Sequence, residues 1–276
     1  MTTQATAILE NALSKIFLPQ SKSHKGQNGK LLIIGGSKLF HAASKWSLDV
    51  ASKIVDMVFY SSVPSNNQLI ASVKANFWNG IVIERKQIKN YIDEAEVVLI
   101  GPGMDRTLYT KRLVNHLLKT YPNKKWVIDA GALQMLDVRL LNSNHIITPH
   151  HQEMKLLQHK SHLFDEENYQ ANCYCLLKGP TDKIFIPKDG HAIEIGGGNA
   201  GMTKGGTGDV LAGLLAAIYC KNEALESCIV ASYINKKAGE KLYQKQGPYF
   251  NSSNLVEMVP QILWQEVSFA KKLAIK

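Results

Sequence analysis

Residues Gly198-Asn199-Ala200-Gly201-Met202-Thr203-Lys204-Gly205-Gly206-Thr207-Gly208-Asp209 run without interruption into the apolar stretch Val210–Ile218. The apolar stretch predicts a buried helix, so the loop before it must deliver the chain to a helix N-terminus. Glycines permit positive φ and let a ligand approach the main chain closely. The first N–H groups of a helix lack intrahelical partners, and together with the helix dipole they favour an anion. Thr207 adds a hydroxyl donor. Asp209 puts a carboxylate into the same first turn, where it can orient or deprotonate a hydroxyl that attacks phosphorus. A single Gly and a single Asp would mark an ordinary helix start; the density of cues here points instead to a phosphate site. Lys204 has the charge to neutralise phosphate during transfer. The G-x-x-x-x-G-K-[ST] pattern is absent, which excludes a P-loop.

The rest of the chain supplies the layers that such a loop needs. Short apolar runs closed by turn residues recur at Gly29–Ser37, Val55–Tyr60, Gly80–Glu84, Glu96–Ile100, Trp126–Ala130, His145–His150 and Cys173–Gly179. They read as buried strands. Helical spacing predicts helices over Ile8–Ile16, Ala42–Ile54, Thr107–Thr120, from Glu153 to Gln158, and over Val210–Tyr219, Ala224–Gln244 and Asn254–Val267, the last capped from Asn251–Asn254. Lys183–Pro187 and His191–Ile195 flank Lys188-Asp189-Gly190 and read as a hairpin. Strands alternating with helices imply an α/β fold with a mostly parallel central sheet covered by helices on both faces. No linker, repeat or low-complexity stretch divides the chain. One domain over residues 24–276, after a lead-in over residues 1–23, is the expectation.

The unusual residues fall at strand ends. Gly35-Gly36-Ser37, Gly101-Pro102-Gly103, Asp129, Thr148-Pro149-His150 and Lys178-Gly179-Pro180-Thr181-Asp182 all close inferred strands, the edge at which open α/β sheets bind ligands. Each has a bland reading beside the functional one. The glycine pairs serve as tight turns or as places of close approach by a flat ligand. Asp129 is a satisfied structural carboxylate or faces the site, through magnesium and water. His150 is a proton donor, a ligand partner or a helix cap. Lys178 is a solvated residue beside a turn or a cation near a nucleotide.

Composition narrows the function classes. The formal charge of +9 suggests anionic partners. The basic residues are scattered, with no dense run or aromatic-interleaved stripe, which speaks against nucleic acid. No apolar run reaches membrane-spanning length and no secretory signal precedes the first helix, so a soluble cytoplasmic protein is expected. Cys173, Cys175, Cys220 and Cys228 show no metal-like spacing and read as reduced, buried thiols. No zinc cluster or G-x-S-x-G elbow is visible, and no metal-ligand set is assigned.

Taken in order, His24-Lys25-Gly26, Leu32–Ser37, Ile100–Gly103, Ile128-Asp129-Ala130, Thr148-Pro149-His150-x-x-Glu153, Lys178-Gly179 and Gly198–Asp209 resemble the ADP/ATP-dependent NAD(P)H-hydrate dehydratases. These form the carbohydrate-kinase-like half of the nicotinamide-nucleotide repair system. The resemblance implies a ribokinase-like fold and a reaction in which the ring hydroxyl of hydrated NADH or NADPH is phosphorylated from ADP or ATP with Mg²⁺. Loss of phosphate then restores the dihydronicotinamide. Carried over, Asp209 is the base, and Gly206, Thr207 and Gly208 form the anion hole. Lys178, Gly179, Pro180, Thr181 and Asp182, with Asn199, Gly201, Met202, Thr203, Lys204, Gly205, Gly206, Thr207 and Gly208, hold the nucleotide. Ala43, Gly103, His150, Glu153 and Asp209 contact the hydrated cofactor.

The family pattern is altered on the substrate side. Ala42-Ala43 stands where Gly-Ala is usual, and His151-Gln152 replaces Pro-Gly before Glu153. The resemblance also implies that any epimerase is a separate chain and that copies of this chain assemble as a homo-oligomer. The short form leans to ADP. A kinase of another small alcohol, of thiazole or sugar type, is the alternative on the same fold.

Overall fold

The structure is a computed structural model that describes residues 3–72 and 79–274; parts of the expected lead-in and domain, at 1–2, 73–78 and 275–276, lie outside the described residues. Nine strands form one sheet among them: β1 (Lys30–Ile34), β2 (Met57–Ser61), β3 (Ile81–Val82), β4 (Val97–Ile100), β5 (Lys125–Ile128), β6 (His145–Ile147), β7 (Tyr174–Leu177), β8 (Asp182–Phe185) and β9 (Ala192–Ile195). Their order is β3-β2-β1-β4-β5-β6-β7-β8-β9. Pairing is parallel from β3 through β7, and β7–β8 and β8–β9 are antiparallel. The expected hairpin is therefore β8–β9.

Alternation along β1 divides the core in two. Leu31 and Ile33 face one side and Leu32 and Ile34 the other, all fully buried. The first face is covered by α1 (Thr3–Lys15), α2 (His41–Ala51), α8 (Thr207–Tyr219), α9 (Ala224–Gln246) and α10 (Ser252–Ala274). The second is covered by α4 (Ile88–Glu94), α5 (Leu108–Thr120), α6 (Ala130–Met135) and α7 (His151–Lys160). A sheet buried on both faces needs continuous apolar strands, which explains why these strands read as unbroken runs.

Several boundaries differ from expectation for local reasons. The strand at Gly80–Glu84 shrinks to Ile81–Val82, and α3 (Pro64–Ser72) precedes it unannounced. Proline at the first helical position was its available signal. Asn251 caps α10 by accepting from the N–H groups of Ser253 and Asn254 at 3.0 and 3.1 Å, and the helix runs through Pro260 to Ala274. The lead-in helix is not loose: Leu9, Ala12, Leu13 and Ile16 of α1 are buried in the first core face. No helix among the described residues is long and apolar enough to cross a membrane. All four cysteines are free and buried, and burial pushes the Cys173 thiol up to about 12.

The chain leaves β1 toward β2 and β3 on one side and later returns to place β4 on the other. This reversal between β1 and β4 is a topological switch point, where open α/β sheets form a crevice.

Candidate active site

The crevice is floored by backbone. After β1 and β4, the Gly36 N–H donates to the Pro102 carbonyl at 2.7 Å, joining the two turns. Gly36, Gly101 and Gly103 have φ of +72°, +124° and +69°. A Cβ on Gly103 would collide with the Phe40 carbonyl and lie 2.9 Å from Ala43 Cβ; one on Gly101 would overlap the Asp129 carbonyl. Glycine is required here by both φ and space. These collisions also show that Gly103 and Ala43, far apart in sequence, are brought together.

Farther along the edge, β5, β6 and β7 deliver a charged cluster. Buried Asp129 accepts from Lys178 Nζ at 2.7 Å and from Thr148 Oγ1 at 2.8 Å. Its neighbour Ala130 has φ +43°, a left-handed conformation uncommon outside glycine, at the start of α6. Burial draws the Lys178 pKa down, but Asp129, Glu153 and Asp209 outweigh it and hold the ammonium above its ordinary value. A Cβ on Gly208 would lie 3.6 Å from Lys178 Nζ, so this ammonium stands over the first turn of α8. Asp129 thus faces inward as a partner of Lys178, a pairing no sequence spacing announces.

Asp209 lies in that first turn. Burial, then the charge of Asp129, pushes its carboxyl up to about 7 against the pull of Lys178, with Glu153 adding to the rise. Its backbone carbonyl accepts from Ser47 Oγ of α2 at 2.8 Å. Gly206, with φ +97°, caps α8 and packs against the Trp46 indole. A carboxylate titrating near neutrality beside helix N–H groups and one lysine has the makings of a general base in phosphoryl transfer.

A cavity of about 580 Å³ adjoins α8 on the β8–β9 side. Lys178, Gly179, Pro180, Asp182, Asn199, Met202, Thr203, Thr207 and Gly208 line it, as do four residues that sequence reasoning missed: Gly197, Leu211, Asn235 and Lys236. Lys236 and Asp182 clamp its walls. Lys236 Nζ lies 3.2 Å from Asp182 Oδ1 and donates to the carbonyls of Gly179 and Pro180 at 2.8 and 3.0 Å. Asp182 also accepts from Gly179 N at 2.9 Å and Ser232 Oγ at 2.7 Å. The available signal for Lys236 was a lysine set within the apolar spacing of α9.

Other expected site residues make contacts of their own within the fold. The Lys204 ammonium donates to the carbonyls of Pro248 and Phe250, tying the loop to the approach to α10. The Thr207 hydroxyl donates to the Met202 and Lys204 carbonyls at 2.8 and 3.1 Å, and its backbone N–H stands in the first turn of α8. Gly201 is buried against Phe250, Gly205 accepts Ser252 Oγ through its carbonyl, and Thr181 is exposed. His150 takes the capping role: its Nδ1 accepts from the N–H groups of Gln152 and Glu153 at 3.1 and 3.3 Å, and Glu153 Oε2 accepts from the His150 N–H at 3.0 Å. The exposed ring still borders the edge, while buried Glu153 also accepts from Gln134 at 2.9 Å. Among the described residues no three His, Cys, Asp or Glu side chains are grouped to hold a metal ion.

Comparison with known proteins fits this geometry. A family model described as NAD(P)H-hydrate dehydratase matches residues 31–261. The bifunctional NAD(P)H-hydrate repair enzyme Nnr of Methanocaldococcus jannaschii is 37% identical over 251 residues, covering 88% of this chain and 50% of that protein. This chain thus spans about half the length of that relative. The ADP-dependent (S)-NAD(P)H-hydrate dehydratase of Nitrosopumilus maritimus is 32% identical, with 94% of this chain and 97% of that protein covered. Among solved structures, a ribokinase-like superfamily protein from Enterococcus faecalis superposes with a TM-score of 0.80 at 21% identity over 93% and 94% of the chains. The ADP/ATP-dependent NAD(P)H-hydrate dehydratase of Bacillus subtilis, co-crystallised with ATP/Mg²⁺, gives 0.76 at 20% identity over 93% and 97%. The fold is ribokinase-like, and the chain belongs to the NAD(P)H-hydrate dehydratase family.

Proposed function

We propose that this chain dehydrates the (S)-hydrate of NADH or NADPH at the expense of ADP or ATP, as a cytoplasmic repair enzyme. The observation that carries the reading is Asp209, a carboxylate held near neutrality in the first turn of α8 beside Lys178. Ionised Asp209 takes the proton of the ring hydroxyl, whose oxygen attacks the terminal phosphorus of the nucleotide. The backbone N–H groups of the Gly206–Gly208 turn and the α8 dipole hold the charge that develops on the transferred phosphoryl group. Expulsion of phosphate, with loss of a proton from the adjacent ring carbon to solvent, restores the dihydronicotinamide double bond.

The nucleotide occupies the cavity between Lys178–Asp182 and Asn199–Gly208, with Lys236 and Asn235 added to its walls. The hydrated ring lies over Gly103 and Ala43, bounded by His150 and Glu153. Asp129 and Glu153 both act on Asp209, and all three act on Lys178, an acidic surrounding that would suit Mg²⁺ carried in and held by the nucleotide phosphates. Mg²⁺ would neutralise phosphate charge there. ADP is the proposed donor, because the relative matched over nearly its whole length is named ADP-dependent.

The test follows dihydronicotinamide absorbance on incubation of hydrated NADH with Mg²⁺ and either ADP or ATP. Recovery with a nucleotide and none without it supports the reaction and names the donor. Nucleotide binding without recovery contradicts it and favours a kinase of another alcohol, which would leave a stable phosphorylated product.

A further inference from the structure

Among the described residues, Arg85 is a cation without an anion. It follows β3, and its Nη2 donates to the Gly35 carbonyl at 3.3 Å while Nη1 is buried with no hydrogen-bond partner among those residues. The carboxylate next to it in sequence, Glu84, pairs with Lys86 at 2.8 Å instead. Burial draws the guanidinium pKa below its ordinary value, and the charged states that oppose this are those of two tyrosines, Tyr109 and Tyr60, rather than any Asp or Glu. An arginine remains protonated in such surroundings, so its charge persists uncompensated. Ser61 Oγ nearby on β2 is also buried without a partner.

Arg85 touches the floor of the active crevice. Gly35 opens the turn after β1, and a Cβ there would lie 2.6 Å from the Pro102 carbonyl and 2.9 Å from Ser44 Cβ. Ser44 is one turn of α2 before Ser47, the residue that donates to the Asp209 carbonyl. Arg85 and Asp209 therefore border the same turn of α2, Arg85 through Gly35 beside Ser44 and Asp209 through Ser47.

We propose that Arg85 binds a phosphate of the dinucleotide substrate whose nicotinamide end reaches Asp209. The site rests on the dinucleotide reading above. Guanidinium matches phosphate oxygens in geometry as well as charge, and a charged pair closed off from water is stronger than one in solvent. The phosphate is either the bridging pyrophosphate or the 2′-phosphate of the NADP form.

The test is calorimetric titration of NAD⁺ and NADP⁺ into the full chain saturated with ADP and Mg²⁺, using wild type, Arg85→Gln and Arg85→Lys. Arg85→Gln is expected to weaken binding about 10- to 100-fold, with Arg85→Lys between it and wild type. Equal loss for both dinucleotides assigns the bridging pyrophosphate, and loss confined to NADP⁺ assigns the 2′-phosphate. ADP affinity and melting temperature stay unchanged, which separates a binding role from a mere tether on Gly35. Should Arg85→Gln not fold, Arg85→Lys alone decides, with an expected loss of about 3- to 10-fold. Unchanged binding of both dinucleotides in a folded variant overturns the proposal. Since no turnover is needed, Arg85-dependent binding without dehydration would remove the proposed reaction and leave this site, whereas dehydration indifferent to Arg85→Gln would do the reverse.

Discussion

At the β7–β9 end of the sheet, side chains hold the walls of a cavity of about 580 Å³ apart, whereas at the β1–β4 end glycine turns are pressed into contact. In the first region most charged and hydroxyl side chains are already engaged, while Asn199 Nδ2 and Asn235 Oδ1 are buried without a partner among the described residues. Lys236 and Asp182 clamp each other, the Thr207 hydroxyl serves loop carbonyls, and Lys204 holds the loop in place. A ligand there meets main-chain donors, the Lys178 ammonium and the unpaired amide atoms of Asn199 and Asn235. In the second region the backbone itself is the packed surface, and side-chain identity matters mainly where any side chain would collide. A preformed receptor can thus be built by fixing charges around a void or by removing Cβ atoms from a floor; this sheet edge uses both, with Asp209 between them.

Asp209→Asn strikes where the two regions meet. It is expected to lower turnover about 10²- to 10⁴-fold, the usual worth of a general base, while leaving ADP affinity within about threefold by calorimetry. In wild type, kcat/KM should fall with acidity below an apparent pKa near 7, since protonated Asp209 accepts no proton. The same shift has a sign for stability. The folded state keeps this proton where the unfolded chain has lost it, so stability from this group declines as pH rises from the ordinary carboxylate range to about 7. Asp209→Asn should therefore be more stable than wild type at pH 8, by on the order of a few kcal/mol, with the gap closing near pH 4 in denaturant titrations.

Lys236→Met breaks the clamp at the cavity end. It strands the buried Asp182 carboxylate, and a loss of about 3–5 kcal/mol in unfolding free energy is expected, with weaker ADP binding. Retained stability would mean that the walls do not depend on the clamp. The matching change at the other end is Gly103→Ala, expected to cost about 2–4 kcal/mol through left-handed strain and overpacking. Its control is Gly205→Ala, whose added methyl meets nothing within 4 Å and should shift stability by no more than about 0.5 kcal/mol. Equal effects of the two glycine changes would erase the contrast between a packed floor and an open loop. The smallest effect belongs to Lys204→Ala. If Lys204 only ties the loop, ADP affinity changes by less than about threefold; a tenfold loss would restore it as a phosphate contact.

Much of this edge was legible because it is local in sequence. Apolar runs ending in Gly, Asp or Pro located the strands, and the Gly198–Asp209 loop led to α8 as its composition required. What was hidden depends on neighbours that only the sheet order supplies. Asp129 finds Lys178 because β5, β6 and β7 are adjacent. Lys204 reaches the Pro248 and Phe250 carbonyls, which the approach to α10 brings beside the loop. Lys236, not singled out in the sequence, is buried by the packing of α9 against the sheet. His150 offered three roles, and the capping geometry with Glu153 shows one of them, through Nδ1, while the rest of the ring stays exposed.

The most direct test of phosphoryl transfer at Asp209 uses ADP labelled in its terminal phosphate, with Mg²⁺ and hydrated NADH in single turnover. The expected result is one inorganic phosphate and one AMP released per dihydronicotinamide restored, only when the hydrate is present, and loss of all three in Asp209→Asn. Restored dihydronicotinamide without labelled phosphate, or label retained in a stable phosphorylated product, would contradict it.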